Sequence, residues 1–141
     1  MWVLMDQDGA VWAETTDGGL LKQLFGFYPT LHDARILEVE IDRNSDSLTI
    51  TVDYCDSVGE DRTQELSARI RLEWHGIITF DLPLGELELL SIDFRRHNQY
   101  IETNLETWPG VHGTVVSDSF EAVLVQVSPG DPDERAWIRY K

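Results

Sequence analysis

Apolar and polar positions alternate with a period of two through most of this chain, which is the signature of half-buried β-strands. In ILEVEID, residues 36–42, Leu37, Val39 and Ile41 fall on one face and Glu38, Glu40 and Asp42 on the other. A turn at Asn44-Ser45-Asp46 leads into LTITVDY, where Leu48, Ile50, Val52 and Tyr54 alternate with Thr49, Thr51 and Asp53. Two such runs around turn residues predict a hairpin. A polar loop at residues 56–64 follows. LSARIRLEW then alternates Leu66, Ala68, Ile70, Leu72 and Trp74 with polar residues, and His75-Gly76 reads as a tight connection to IITFDL.

The pattern continues through ELELLSIDF, YIETNLETW, HGTVVS and FEAVLVQV, with breaks at Pro83-Leu84-Gly85, His97-Asn98-Gln99, Pro109-Gly110 and Ser117-Asp118-Ser119. SPGDPDE reads as a loop and AWIRY as a last strand. Short links favour antiparallel pairing, because parallel crossovers need about a dozen residues. Before the strands, Leu20, Leu21, Leu24 and Phe25 recur at helical spacing, with Thr16 or Asp17 as a cap and Gly26 as the stop. Further upstream, WVLM reads as a short strand and Asp8-Gly9 as a turn. The fold class expected is α+β, mainly β: an antiparallel sheet of about eight strands with one short N-terminal helix packed on it. Residues 1–141 read as one domain.

Composition agrees with a globular chain: 42% of residues are hydrophobic and 10% aromatic. No run approaches the ~20 apolar residues that span a bilayer. The N-terminus has no basic, apolar secretory pattern, and Cys55 has no internal disulfide partner, so a cytoplasmic protein is expected. Charge changes the picture most. Eleven Lys and Arg against 26 Asp and Glu leave a net charge of −15 and a pI near 4.4. Such a field disfavours nucleic acid and anionic membranes and attracts a basic partner; it also serves simple solubility.

The adjacent His32-Asp33 pair raises metal-dependent hydrolysis as a reading. His75, His97 and His112 stand too far apart in sequence to form a local ligand pattern, and no HxH, HxxxH or HxxE spacing occurs. Cys55 lies amid Asp53 and Asp56, which oppose thiolate formation. There is no nucleophile elbow, dinucleotide fingerprint or phosphate loop. The residues themselves favour a corner in which Pro29 ends the helix, Leu31 anchors in the core, and Asp33 accepts bonds from backbone N–H groups at the strand entrance. No catalytic residue, metal site or cofactor is expected. A small-ligand-binding β domain stays open as a further reading.

The segment FGFYPTLHDARILEVEIDR, residues 25–43, resembles the opening signature of the immunity protein 50 family of bacterial polymorphic toxin systems. Phe25-Gly26, Pro29, His32-Asp33-Ala34 and Asp42-Arg43 match the signature, and Thr30, Leu31 and Arg35 depart from it. Arg35 reverses a charge, so no charge-based role carries over there. The match covers about 20 residues; downstream there is only a compatible succession of strands. The resemblance implies a non-enzymatic cytoplasmic protein that neutralises a cognate toxin by binding it. A basic toxin, such as a nuclease, would suit the acidic field. On that reading the toxin-facing candidates are Glu38, Glu40, Asp42, Asp53, Asp56, Glu60, Asp61 and Trp108. Phe25, Gly26, Pro29, His32 and Asp33 are structural. An exposed edge strand could also support a homodimer.

Overall fold

The computed structural model describes residues 7–59, 61–81, 88–107, 111–129 and 138–139. Two short helices, α1 (Gln7–Ala13) and α2 (Gly18–Phe25), precede the strands β1 (Ala34–Asp42), β2 (Ser47–Val58), β3 (Gln64–Asp81), β4 (Glu88–Arg96), β5 (Ile101–Thr107) and β6 (Val111–Pro129). A two-residue β7 (Ile138–Arg139) pairs with β6 at Gln126 and Val127. All pairings are antiparallel, in the order β3-β2-β1-β4-β5-β6, and β6 pairs again with β3. Among the described residues β1 and β4 meet through two residue pairs, Ala34 with Leu89 and Arg35 with Glu88. The sheet thus curls around its own apolar face.

Period-two alternation explains that core directly. Leu48, Ile50, Val52 and Tyr54 on β2 lie opposite Trp74, Leu72, Ile70 and Ala68 on β3, and all eight are buried. The helices close the concave side. Trp12 of α1 meets Phe94 and Phe120 edge-on at 6.0 and 5.7 Å, and Phe120 lies 5.2 Å from the Trp74 ring. The indole N–H of Trp74 donates to Thr103 Oγ1 at 2.9 Å, so this buried donor is satisfied. Gly18 permits the close packing of α2 on α1: a Cβ there would stand 1.8 Å from the Trp12 carbonyl oxygen.

Four features differ from the sequence expectation. First, Asp8-Gly9 is not a turn but part of α1, because burying Val11 and Trp12 outweighs the weak helix propensity of glycine; WVLM lies outside the described residues. Second, the tight connection at His75-Gly76 and the break at Ser117-Asp118-Ser119 are not strand ends. They face each other inside two long strands, His75 opposite Ser119 and Ile77 opposite Ser117. Gly76, at φ 64°, makes room for the Asp118 side chain, and a β-bulge between Ile77 and Thr79 bends the ribbon without ending it. Among the described residues, about eight strands therefore become six plus the two-residue β7.

Third, a bulge between Ile36 and Glu38 shifts the faces of β1. Ile36, Val39 and Ile41 oppose the inward-facing Val52, Ile50 and Leu48, while Leu37 is the extra residue and is 40% exposed. Fourth, the polar loop is shorter than 56–64, since β2 runs to Val58 and β3 begins at Gln64. No helix among the described residues is long and apolar enough to cross a membrane.

Candidate functional site

The sequence-selected acids are spread along β1, β2 and the loop after β2 and differ in exposure. Glu38, Glu40 and Asp42 stand opposite Thr51, Thr49 and Ser47 on the outer face of β1, about 7 Å apart along the strand. All three are exposed. Asp42 also accepts the Asn44 N–H at 2.9 Å; the Ser45 hydroxyl and that N–H hold its carboxyl below the usual range. Among the described residues β1 meets β4 at Ala34 and Arg35, and this row of exposed carboxylates lies beyond those two pairs.

Asp53 and Asp56 are occupied rather than presented to a partner. The Asp53 side chain is 3% exposed and held side-on by Arg69, Nε to Oδ1 at 2.8 Å and Nη2 to Oδ2 at 3.0 Å. This corrects its place among the toxin-facing residues: cross-strand pairing sets Arg69 directly opposite Asp53 and removes the carboxylate from the surface. Asp56 accepts the Tyr54 hydroxyl, the Ser57 N–H at 2.8 Å and Arg62 Nη2 at 3.3 Å. Asp61 is exposed and accepts both the Thr63 N–H at 3.3 Å and the Thr63 hydroxyl at 2.9 Å, which lower its pKa. Asp56 and Asp61 lie roughly 30 Å along β2 from the Asp42 end. Glu60 and Trp108 lie outside the described residues.

The family-like segment is the corner between α2 and β1. Gly26 ends α2 in the left-handed conformation, its N–H donating to the Lys22 carbonyl at 2.7 Å, and Phe25, Pro29 and Leu31 are buried. Asp33 does not cap backbone N–H groups as expected. Among the described residues its carboxylate meets the His32 ring, Oδ2 to Nδ1 at 3.0 Å, with both side chains exposed. Thr30 takes the capping role instead, accepting the His32 N–H at 3.3 Å. Asp17 likewise forms no side-chain cap on α2: it accepts the Leu124 N–H of β6 at 2.7 Å and so ties helix to sheet.

Behind this corner a chain of hydroxyls reaches Asp56. Tyr54 donates to Asp56, and Thr30 Oγ1 lies 3.4 Å from the Tyr54 oxygen. Burial first, then the Asp56 hydrogen bond, raises the Tyr54 hydroxyl above the ordinary tyrosine value. Its contribution to stability is therefore complete below the unfolded value of about 10 and is lost as pH rises through the higher folded value. Tyr54→Phe is expected to lower stability by about 1–2 kcal/mol at neutral pH. The gap to wild type should narrow above about pH 10, by ~1.4 kcal/mol per pH unit, in urea titrations. A constant gap across that range would show that Tyr54 ionises equally in both states.

The corner also walls a cavity of about 530 Å³, lined by Trp12, Lys22, Phe27, Tyr28, Pro29, Thr30 and His32 together with Gly9, Gly26, Ser91 and Ile92. Sequence reasoning passed over Lys22, although it is one of only two lysines in the chain. A second depression, about 380 Å³, lies where Ile41, Ile78 and Phe80 are 47%, 58% and 43% exposed beside Asp42 and Asp46. The four histidines do not converge: His75 pairs with Glu73 at 3.0 Å, His97 approaches Glu102 at 3.7 Å and His112 approaches Glu106 at 4.0 Å. Among the described residues no three His, Cys, Asp or Glu side chains form a metal-binding group.

The sequence matches no family model and no curated protein. A solved structure described as that of an uncharacterized protein from Neisseria gonorrhoeae is similar at 12% identity. The similarity covers 64% of this chain and 90% of that one, with a TM-score of 0.45.

Proposed function

We propose that this chain is an immunity protein that binds a bacterial toxin domain stoichiometrically and neutralises it in the cytoplasm. The observation that carries the reading is the exposed row Glu38, Glu40 and Asp42 on the outer face of β1, within a chain of net charge −15. A basic toxin, such as a nuclease with a phosphate-binding cleft, offers the complementary lysines and arginines and is drawn in by long-range attraction. The neighbouring apolar residues Ile41, Ile78 and Phe80 supply desolvated contact area, which charges alone do not. The 25–43 signature holds β1 in place, and Asp53 and Asp56 stabilise the sheet behind it.

Co-expression with the toxin domain encoded by the adjoining gene tests this. Protected growth and a one-to-one complex on size-exclusion chromatography are the expected results. Continued killing with no complex would overturn the proposal.

A further inference from the structure

We propose that the cavity beneath the α2–β1 corner is a binding site for a small aromatic carboxylate, separate from the acidic face. Its volume, about 530 Å³, lies within the ~300–1,000 Å³ usual for small-molecule sites. Phe27, Tyr28 and Pro29 line it with flat apolar surface, and Thr30, Ser91 and His32 supply polar groups. That division suits a planar ring with polar substituents.

Charge selects the sign of the ligand. In a chain with 26 acidic residues, the described residues lining this cavity include Lys22 and His32 and no carboxylate. Among the described residues the Lys22 ammonium meets no carboxylate; it sits 4.9 Å from the centroid of the Tyr28 ring. An acid group bound beside Lys22 would complete that cation's contacts while the ring of the ligand packs on the aromatic wall. The chain's overall negative field opposes an anion at long range, but the Debye length at physiological salt is about 8 Å. Groups inside the cavity therefore dominate once the ligand arrives.

The backbone supplies an independent observation. Leu31 at φ 57° and Asp33 at φ 62° flank His32, both in the left-handed region, which a branched apolar residue such as leucine rarely enters. Burial of Leu31 compensates one of these positions. The result is a histidine at the cavity wall whose Nδ1 is engaged by Asp33 at 3.0 Å. With Nδ1 donating to that carboxylate, Nε2 is left to accept a hydrogen bond from a ligand hydroxyl. Strained backbone of this kind concentrates at ligand sites.

The test compares 4-hydroxybenzoate with the uncharged 4-hydroxybenzamide by amide and indole NMR titration of the full chain. Saturable shifts at Gly26, Tyr28 and the Trp12 indole are expected for the acid, with the amide at least about tenfold weaker. Lys22 is exposed, so Lys22→Met should fold normally and weaken the acid about tenfold, whereas Lys22→Arg should stay within about threefold of wild type. Three results would each overturn the proposal: no saturable shift with the acid at millimolar concentration, equal affinity for acid and amide, or unchanged affinity in Lys22→Met.

Discussion

Arg69→Met is expected to destabilise the protein by about 3 kcal/mol. It leaves the Asp53 carboxylate, 3% exposed, without its bidentate partner. Buried pairs broken from one side lose about 3–5 kcal/mol. The lower end applies because Arg69 itself is 27% exposed and Arg35 stands opposite Asp53 from β1. Asp53→Asn combined with Arg69→Met should recover most of the loss, since the uncompensated charge disappears. Urea midpoints of the single and double variants measure both effects. A single-variant loss below about 1 kcal/mol would mean that Asp53 is solvated without Arg69. Because Asp53 acts through folding, its replacement should alter the proposed toxin binding only in proportion to the fraction folded.

If the chain binds a toxin as proposed, Glu38→Lys with Glu40→Lys is expected to slow that association by about 10–100-fold at low salt while changing stability by less than about 0.5 kcal/mol. Both carboxylates are exposed on β1, and neither is an acceptor in a described backbone turn as Asp42 is. Reversing them turns part of an attractive field repulsive without opening a core position. Stopped-flow measurements across a salt series should show the wild-type rate falling steeply and the double variant much less, because screening shortens the reach of both fields. Association unchanged within about twofold would remove the β1 row from the interface.

The role of the corner follows from the same separation of surface and scaffold. Arg62 bonds Asp56 and lies 5.6 Å from the Phe27 ring, Phe25 packs 5.3 Å from the Tyr54 ring, and Thr30 meets the Tyr54 hydroxyl. The distinctive residues of the 25–43 segment are thus fastened to β2 and to the loop after it. His32 and Asp33, the pair that suggests hydrolysis in the sequence, form an exposed mutual contact with no further metal-ligating group around it among the described residues.

Much of this was legible in the linear pattern. The β2 and β3 core positions, the hairpin turn after Asp42, the helix stop at Gly26 and the outward row Glu38, Glu40 and Asp42 all follow from period and turn chemistry. These features depend on residues two to four positions apart, and local sequence carries that information. Gly76 and Ser117-Asp118-Ser119 misled because the residues that end a strand also bend one. Only their being opposite each other across β3 and β6 decides between the two. The Leu37 bulge shifted one face of β1 for the same reason, since register is a property of the pair of strands and not of either alone.

Tertiary structure alone decided which acids are available. Asp53 and Glu40 look alike as polar positions on alternating strands. One is buried beneath an arginine 16 residues away, and the other faces solvent. Charge along the chain reveals the sign of the surface, because it is a sum over residues. Burial and pairing depend on distances between residues remote in sequence, and those exist only once the sheet has closed on its core.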